Sequence, residues 1–348
     1  MTSLLTGCSH AGSPPVLPAA PLGAANAASS PTATPDKAPK NLYVANEGNN
    51  TVTVYKPGSS TPLRTIVAGL NSPSDVRFDS NGYLYVANPA ANDVTVYAPG
   101  STKVLRTIRT GVTDDWAIAL DSGNNLYVAN LDASTITEYK AGTSELEHTF
   151  SAGLDEPAVL KFDKSGKLYA INQGVSSGHG SVTVYGASSS RLLLRTITDG
   201  LVNPVAIALD GSENVYVANR RYPANGNVEV YKANQTTIDR TITDGVLQLT
   251  TLALDSSGNL YVANTPIYSS ENGNVTVYAP GGSKTMRTIS AGILWPQCLA
   301  FGSFNYLNVG NVSMYGKDTV TEYPRGSGKL ARTISSGISF PSALAFGP

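Results

Sequence analysis

Reactive side chains are scarce in this chain: 348 residues include two cysteines and three histidines. Cys8 stands in the extreme N-terminal segment and Cys298 in an expected inner strand, so the two are not expected to pair. No disulfide framework holds the fold. A zinc centre needs three or four converging ligands. With His10 in the N-terminal tail and His148 on an expected outer strand, only His179 remains, and a three-histidine site cannot be built. Charge is sparse too, at 14% of residues, with Lys+Arg 24 against Asp+Glu 25. Such a balance leaves no electrostatic footprint for nucleic acid. No apolar run reaches the roughly 18 residues that span a bilayer, and no long helical period is present. What is abundant is Gly (33) and Pro (21), among many Val, Thr and Tyr, a composition of strands and turns.

Residues 9–40 are mostly Ala, Pro, Ser and Thr. Prolines from Pro14 to Pro39 favour extended, unpaired backbone, and the stretch has too little apolar surface to offset its chain entropy. It reads as a disordered linker. Ahead of it stands Leu5-Thr6-Gly7-Cys8. This resembles the lipobox of bacterial lipoproteins, in which an aliphatic and two small residues precede the acylated cysteine. The resemblance implies lipidation at Cys8 and an extracytoplasmic, membrane-tethered protein. Residues 1–8 are then the remnant of a signal sequence whose basic and apolar regions lie upstream.

From residue 41 the chain repeats. Leu42-Tyr43-Val44-Ala45-Asn46 returns at 84–88, 126–130 and 260–264, and in altered form at 168–172, 215–219 and 307–311. The first four copies are 42 residues apart and the later ones 45 to 47. Each unit carries four short apolar stretches. One is like Val205-Ala206-Ile207-Ala208-Leu209-Asp210; next comes Leu-Tyr-Val-Ala-Asn, then Val-Thr-Val-Tyr, then Arg-Thr-Ile. Gly-containing turns separate them. This is the period of a four-stranded propeller blade, with strands A to D from the axis outward. Strands B, C and D occur seven times, but the seventh A strand, Pro341–Gly347, ends the chain with no B strand after it. The first B strand has no A strand before it. An all-β, seven-bladed β-propeller over residues 41–348 follows, closed by the C-terminal strand joining the N-terminal blade, which removes a free sheet edge.

The motif Gly-Asn-Leu-Tyr-Val-Ala-Asn followed by Val-Thr-Val-Tyr resembles NHL and YVTN propeller repeats over the whole of 41–348. The resemblance implies the fold and leaves function divided, because such propellers serve as enzymes, scaffolds and binding modules. Streptogramin-lyase-like propellers use histidine and carboxylates with a metal, amidating lyases of NHL type a histidine-bound zinc, and gluconolactonase-like propellers a carboxylate and Asn/Asp metal site. The three-histidine form is excluded here. A lyase or lactonase with His179, Glu271 or Asp318 as acid/base groups is the enzymatic alternative. Scarce histidine and the lack of a matching catalytic motif favour a non-enzymatic binding or scaffold propeller.

Repeated polar positions read first as architecture. Asn46, Asn88, Asn130, Asn172, Asn219, Asn264 and Asn311 end every B strand, and a site seldom needs seven copies. The expected role is a side-chain amide bonding the next turn. The other role is a ring of amide oxygens that would admit a divalent cation such as Ca²⁺ or Mg²⁺ at the channel mouth. No other cofactor is expected. Asp79, Asp121, Asp163, Asp210 and Asp255 precede the A–B turns and suit turn formation.

With the repeat removed, the leftovers gather in one place. B–C connections have five residues in blades 1–3 (47–51, 89–93, 131–135) and eight to ten in blades 4–7 (173–181, 220–227, 265–274, 312–319). B–C and D–A connections emerge on the same face of a propeller. That face is expected to collect His179, Arg220, Arg221, Tyr222, Tyr268, Glu271, Trp295, Tyr315, Lys317, Asp318 and Phe340, with Trp116 in another D–A connection. Arg220, Arg221, Tyr222, Tyr268, Trp295, Tyr315 and Phe340 are the expected binding residues, since aromatics beside a few charges suit recognition. The expected partner of this monomeric propeller is a glycan, peptide or protein, with a membrane reached only through the lipid anchor.

Overall fold

A computed structural model describes residues 39–174, 179–187, 190–221, 224–265, 272–314 and 316–348. They form seven four-stranded antiparallel sheets whose inner strands each contact the next around a closed ring. Blade 1 is completed as the strand count requires. Its A strand, Pro341–Gly347, pairs antiparallel with its B strand, Asn41–Asn46, with Leu42 opposite Phe346 and Val44 opposite Leu344. The seam is then sewn on both sides: Glu47 N–H donates to Phe340 O at 3.0 Å, and Tyr43 Oη donates to the Pro348 carbonyl at 2.7 Å.

Burial follows position in the blade. B strands such as Leu84–Asn88 are buried on both faces. C strands such as Thr51–Tyr55 are buried but for the first residue, while D strands such as Pro62–Ile66 alternate. The core therefore lies between blades. One cluster joins Tyr43, Val52 and Val54 of blade 1 to Val76, Leu84 and Val86 of blade 2, and similar clusters fill the other gaps. Removing this apolar surface from water is the main stabilising term.

Two turn chemistries repeat with the blades. In the A–B turns, one oxygen of Asp79, Asp121, Asp163, Asp210 and Asp255 accepts the N–H groups two and four residues on, as in Asp79 with Asn81 (2.9 Å) and Tyr83 (2.8 Å). Every D–A connection carries a glycine in the left-handed region: Gly69, Gly111, Gly153, Gly200, Gly245, Gly292 and Gly337, at φ +70 to +77°. Only glycine takes that conformation without steric cost. Beside each of these turns sits the C-strand tyrosine of the following blade, its hydroxyl donating to a carbonyl there; Tyr97 reaches Ala68 O at 2.5 Å and Tyr139 reaches Thr110 O at 2.6 Å. Burial pushes the phenols of Tyr55, Tyr97 and Tyr185 up to about 12.

The D-strand arginines pack within their own blades. They fold back over the B-strand tyrosines, with guanidinium to ring-centroid distances of 5.6 to 5.7 Å in Arg64–Tyr43, Arg106–Tyr85, Arg195–Tyr169 and Arg240–Tyr216. His148 fills the arginine position in blade 3 and lies edge-on to Phe150 at 4.6 Å, a packing role. Cys298 is buried and unpaired, its thiol pushed up to about 12 by burial. Its sulfur occupies the space a side chain at Gly310 would need, which accounts for Gly in place of the usual Ala there. Cys8 and the linker up to residue 38 lie outside the described residues.

Candidate functional site

The face built from B–C and D–A connections is held by the seven asparagines. Each is fully buried. Each amide oxygen accepts a backbone N–H from the neighbouring D–A connection: Asn46 from Ser339, Asn88 from Asn71, Asn130 from Thr113, Asn172 from Asp155, Asn219 from Val202, Asn264 from Leu247 and Asn311 from Leu294, at 2.9 to 3.4 Å. The amide nitrogens donate to the C strand, as from Asn130 to Thr137 Oγ1 at 3.1 Å, and those of Asn172, Asn219 and Asn264 also to the glycine carbonyl of the D–A connection. These groups set the loops, and their oxygens are directed into the blades.

Inside the ring, the A strands present small or apolar residues at most wall positions, as in Ala117-Ile118-Ala119 and Ala206-Ile207-Ala208. Blades 2 and 4 break this pattern with Asp75, Arg77 and Lys161. Asp75 is fully buried; it takes Arg77 Nη1 at 2.8 Å, its own blade's Val76 N–H at 2.7 Å, and Ile118 N–H of blade 3 at 3.1 Å. Burial pushes its carboxyl up to about 7, against the pull of Arg77, the two N–H groups and Lys161. Burial also pushes the Lys161 ammonium down to about 8, with Arg77 adding to that and Asp75 opposing it. The mutual influence of blades 2 and 4 makes this a charge cluster spanning the position of blade 3. The departure from the Ala-Ile-Ala pattern was the signal in the sequence that would have found it.

Above the cluster, at the mouth, lies a cavity of about 250 Å³ lined by Glu47, Ser72, Ser74, Pro89, Ala90, Asp114 and Trp116. Trp116 Nε1 donates to Asp114 Oδ2 at 3.0 Å, and Ser72 Oγ to Glu47 Oε1 at 3.3 Å. Glu47 Oε2 is buried with no hydrogen-bond partner among the described residues. Burial raises both carboxyls, opposed by the Ser72 and Trp116 hydrogen bonds respectively. The cavity thus offers two carboxylates and an indole, a chemistry suited to a cationic group. It lies over blades 1–3, on the expected face but away from the long connections of blades 4–7.

The expected site residues are placed variously. Tyr222, Tyr268, Glu271 and Tyr315 lie outside the described residues. His179 is exposed on a B–C connection. Both tryptophans fall inside A strands, not in the connections: Trp116 in Asp115–Leu120 and Trp295 at the head of Trp295–Phe301, opposite Val312, because the sheets extend further toward this face than the turn signals suggest. Arg220 and Arg221 turn to different partners. Arg220 Nε donates to Leu249 O of blade 6 at 3.1 Å, and burial lowers its pKa; Arg221 Nη2 lies 3.4 Å from Gly200 O. Asp318 accepts Ser313 N–H at 2.8 Å and Phe340 N–H at 2.6 Å, bracing the last D–A connection against the blade 7 loop. Phe340, half-buried, holds a left-handed φ of 49° between these partners and the seam. Among the described residues no three His, Cys, Asp or Glu side chains converge as metal ligands, and no helix is long and apolar enough to cross a membrane.

No family profile matches the chain, and no curated protein matches it. Similarity to solved structures is wide, with 1206 matching chains, so the match speaks for architecture and names no activity. One of them is hydrazine synthase of Kuenenia stuttgartiensis, with 15% sequence identity and a TM-score of 0.66 over 83% of this chain and 92% of that one. At that identity the likeness is one of fold: the chain is a seven-bladed β-propeller.

Proposed function

We propose that the chain is a binding propeller of the NHL/YVTN kind, tethered outside the cytoplasm through Cys8, that takes a peptide or protein at the face formed by its B–C and D–A connections. The observation that carries this reading is the mouth cavity, where Trp116, Asp114 and the unpartnered Glu47 Oε2 meet in about 250 Å³. A lysine or arginine side chain of the partner enters there, its charge neutralised by the carboxylates and its alkyl stem set against the indole. The remainder of the partner contacts the blade 4–7 side of the same face, where Arg221 and Trp295 lie.

Replacing both Trp116→Ala and Glu47→Gln should weaken binding of a basic peptide, each anchor contributing roughly 1–3 kcal/mol. A peptide and glycan array on wild type and this double variant, beside a Tyr222→Ala/Trp295→Ala variant, measures it. Unchanged capture by the first variant and loss by the second would move the site to the rim of blades 4–7. Turnover of a lactone or cyclic depsipeptide that vanishes with His179→Ala would replace binding by the lyase or lactonase reading.

The anchor has a separate test. If the gene's start lies upstream of residue 1, Cys8→Ser should shift the protein expressed from that start from the membrane to the soluble fraction, and globomycin should block its processing. Unchanged partitioning of the variant would refute lipidation.

A further inference from the structure

The blades repeat a three-residue device on the face opposite the mouth, and blade 7 has lost two parts of it. In blades 4, 5 and 6 the A–B turn aspartate lies beside the B-strand tyrosine hydroxyl, as in Asp210 Oδ2 to Tyr216 Oη at 3.3 Å and Asp255 to Tyr261 at 3.3 Å. The D-strand arginine donates to that same hydroxyl in five blades, from 2.5 Å in Arg64–Tyr43 to 3.4 Å in Arg287–Tyr261. The ring meets a phenylalanine of the next blade edge-on: Tyr43–Phe78 at 4.7 Å, Tyr127–Phe162 at 4.9 Å, Tyr261–Phe301 at 5.0 Å. In blade 7 the aspartate is Gly302 and the tyrosine is Asn308, while the arginine, Arg332, and the next blade's phenylalanine, Phe346, are retained.

Where the tyrosine ring would lie there is a cavity of about 230 Å³ at the seam between blades 7 and 1, with Leu42, Asn308, Arg332 and Phe346 on its walls and Lys56 and Phe304 at its rim. Roughly 150 Å³ is enough for a benzene ring in an apolar protein cavity. Asn308 is only 1% exposed, yet its Oδ1 has no hydrogen-bond partner among the described residues. Arg332 pairs with Glu322 through Nη2 at 2.7 Å, which leaves Nη1 buried without an acceptor. Buried polar atoms are ordinarily satisfied, so an orphan acceptor facing the same cavity as an orphan donor points to a ligand that bridges them. Phe304 supports this: it is 79% exposed and holds a left-handed φ of 61°, a conformation unfavourable for a bulky residue.

We propose that the seam cavity binds a monocyclic phenol, its ring in the place that tyrosine occupies in the other blades. The hydroxyl accepts from Arg332 Nη1 and donates to Asn308 Oδ1. The ring packs edge-on to Phe346 and beneath the guanidinium. A carboxylate on a short tail reaches the exposed Lys56. The site is independent of the mouth cavity, so either reading can fail alone.

The test uses 4-hydroxyphenylacetate, phenylacetate and N-acetyltyrosinamide, titrated by calorimetry into the full chain and into Asn308→Tyr. Wild type should bind 4-hydroxyphenylacetate at least tenfold more tightly than phenylacetate, which lacks the hydroxyl. Asn308→Tyr, carrying its own phenol in the cavity, should bind neither and melt at a higher temperature. Tighter binding of the amide than of the acid would assign the phenol to a tyrosine of a peptide; the reverse, together with weakening by Lys56→Ala, would assign it to a free phenolic acid. If Asn308→Tyr does not fold, Arg332→Met serves in its place and should erase the preference for the hydroxyl. No saturable binding by wild type, or equal binding by Asn308→Tyr, overturns the proposal.

Discussion

Deleting residues 341–348 should abolish the closed ring and leave no cooperative unfolding transition. Ser342, Ala343, Leu344 and Ala345 are all buried, and the strand pairs with Asn41–Asn46 along its length. Without it, the B strand of blade 1 becomes an exposed inner edge, and Val76 of blade 2 loses Ala343 and Ala345 as packing partners. Truncating a single buried leucine costs about 2–5 kcal/mol, and a whole domain is stable by only about 5–15 kcal/mol. Loss of the strand therefore exceeds what the fold can absorb. Circular dichroism melts and size-exclusion chromatography measure this, with Leu344→Ala as the milder partner, expected to lower stability by about 2–5 kcal/mol. A truncated chain that stays monomeric and melts within a few degrees of wild type would show that the ring does not depend on this strand.

Replacing Asp75 with alanine should cost about 3–5 kcal/mol, because it leaves Arg77 charged in the channel wall and the Ile118 N–H without its acceptor. Urea titration at neutral pH measures this. The same carboxyl makes stability depend on pH. Burial raises its pKa to about 7 from an ordinary value of 3.8, so the folded chain holds a proton that the unfolded chain releases. That contribution is fully present below about pH 4 and is lost as pH rises toward 7. Asp75→Asn keeps the size and an acceptor but cannot titrate, and should flatten the stability profile between pH 4 and 7. A profile for Asp75→Asn that parallels wild type would place the titrating group elsewhere.

Both effects arise from the channel, the part of the molecule least visible in one dimension. The blades were legible because their causes are local. Alternation in Val-Thr-Val-Tyr makes a strand, an aspartate one to three residues before a glycine opens the A–B turn, and a count of strands that leaves one A strand over demands closure. The seven asparagines were legible for the same reason: seven equal copies serve seven equal turns, and each amide oxygen meets the N–H expected of it.

Placement of the mouth cavity was not legible. Long B–C connections over blades 4–7 drew attention to that rim, whereas the described cavity lies over blades 1–3, where the connections are short. Loop length reports how much chain is available and not what volume it encloses. Arg220 and Asp318 show the same limit: each is a charged residue in a connection, yet Arg220 meets Leu249 O and Asp318 meets Phe340 N–H, backbone partners contributed by other segments.

The sequence by itself determined the repeat, the number of blades, the closing strand and the residues that depart from the pattern, since each follows from short-range periodicity and turn chemistry. Only the tertiary structure decided which departures meet. Asp75 and Lys161 are two blades apart in the chain and act on each other because the ring turns both toward one channel. Asn308 becomes the wall of a cavity because closure sets it against Phe346 and Leu42, at opposite ends of the propeller's sequence. A ring brings together residues that no local spacing relates, and its contents are set by that geometry.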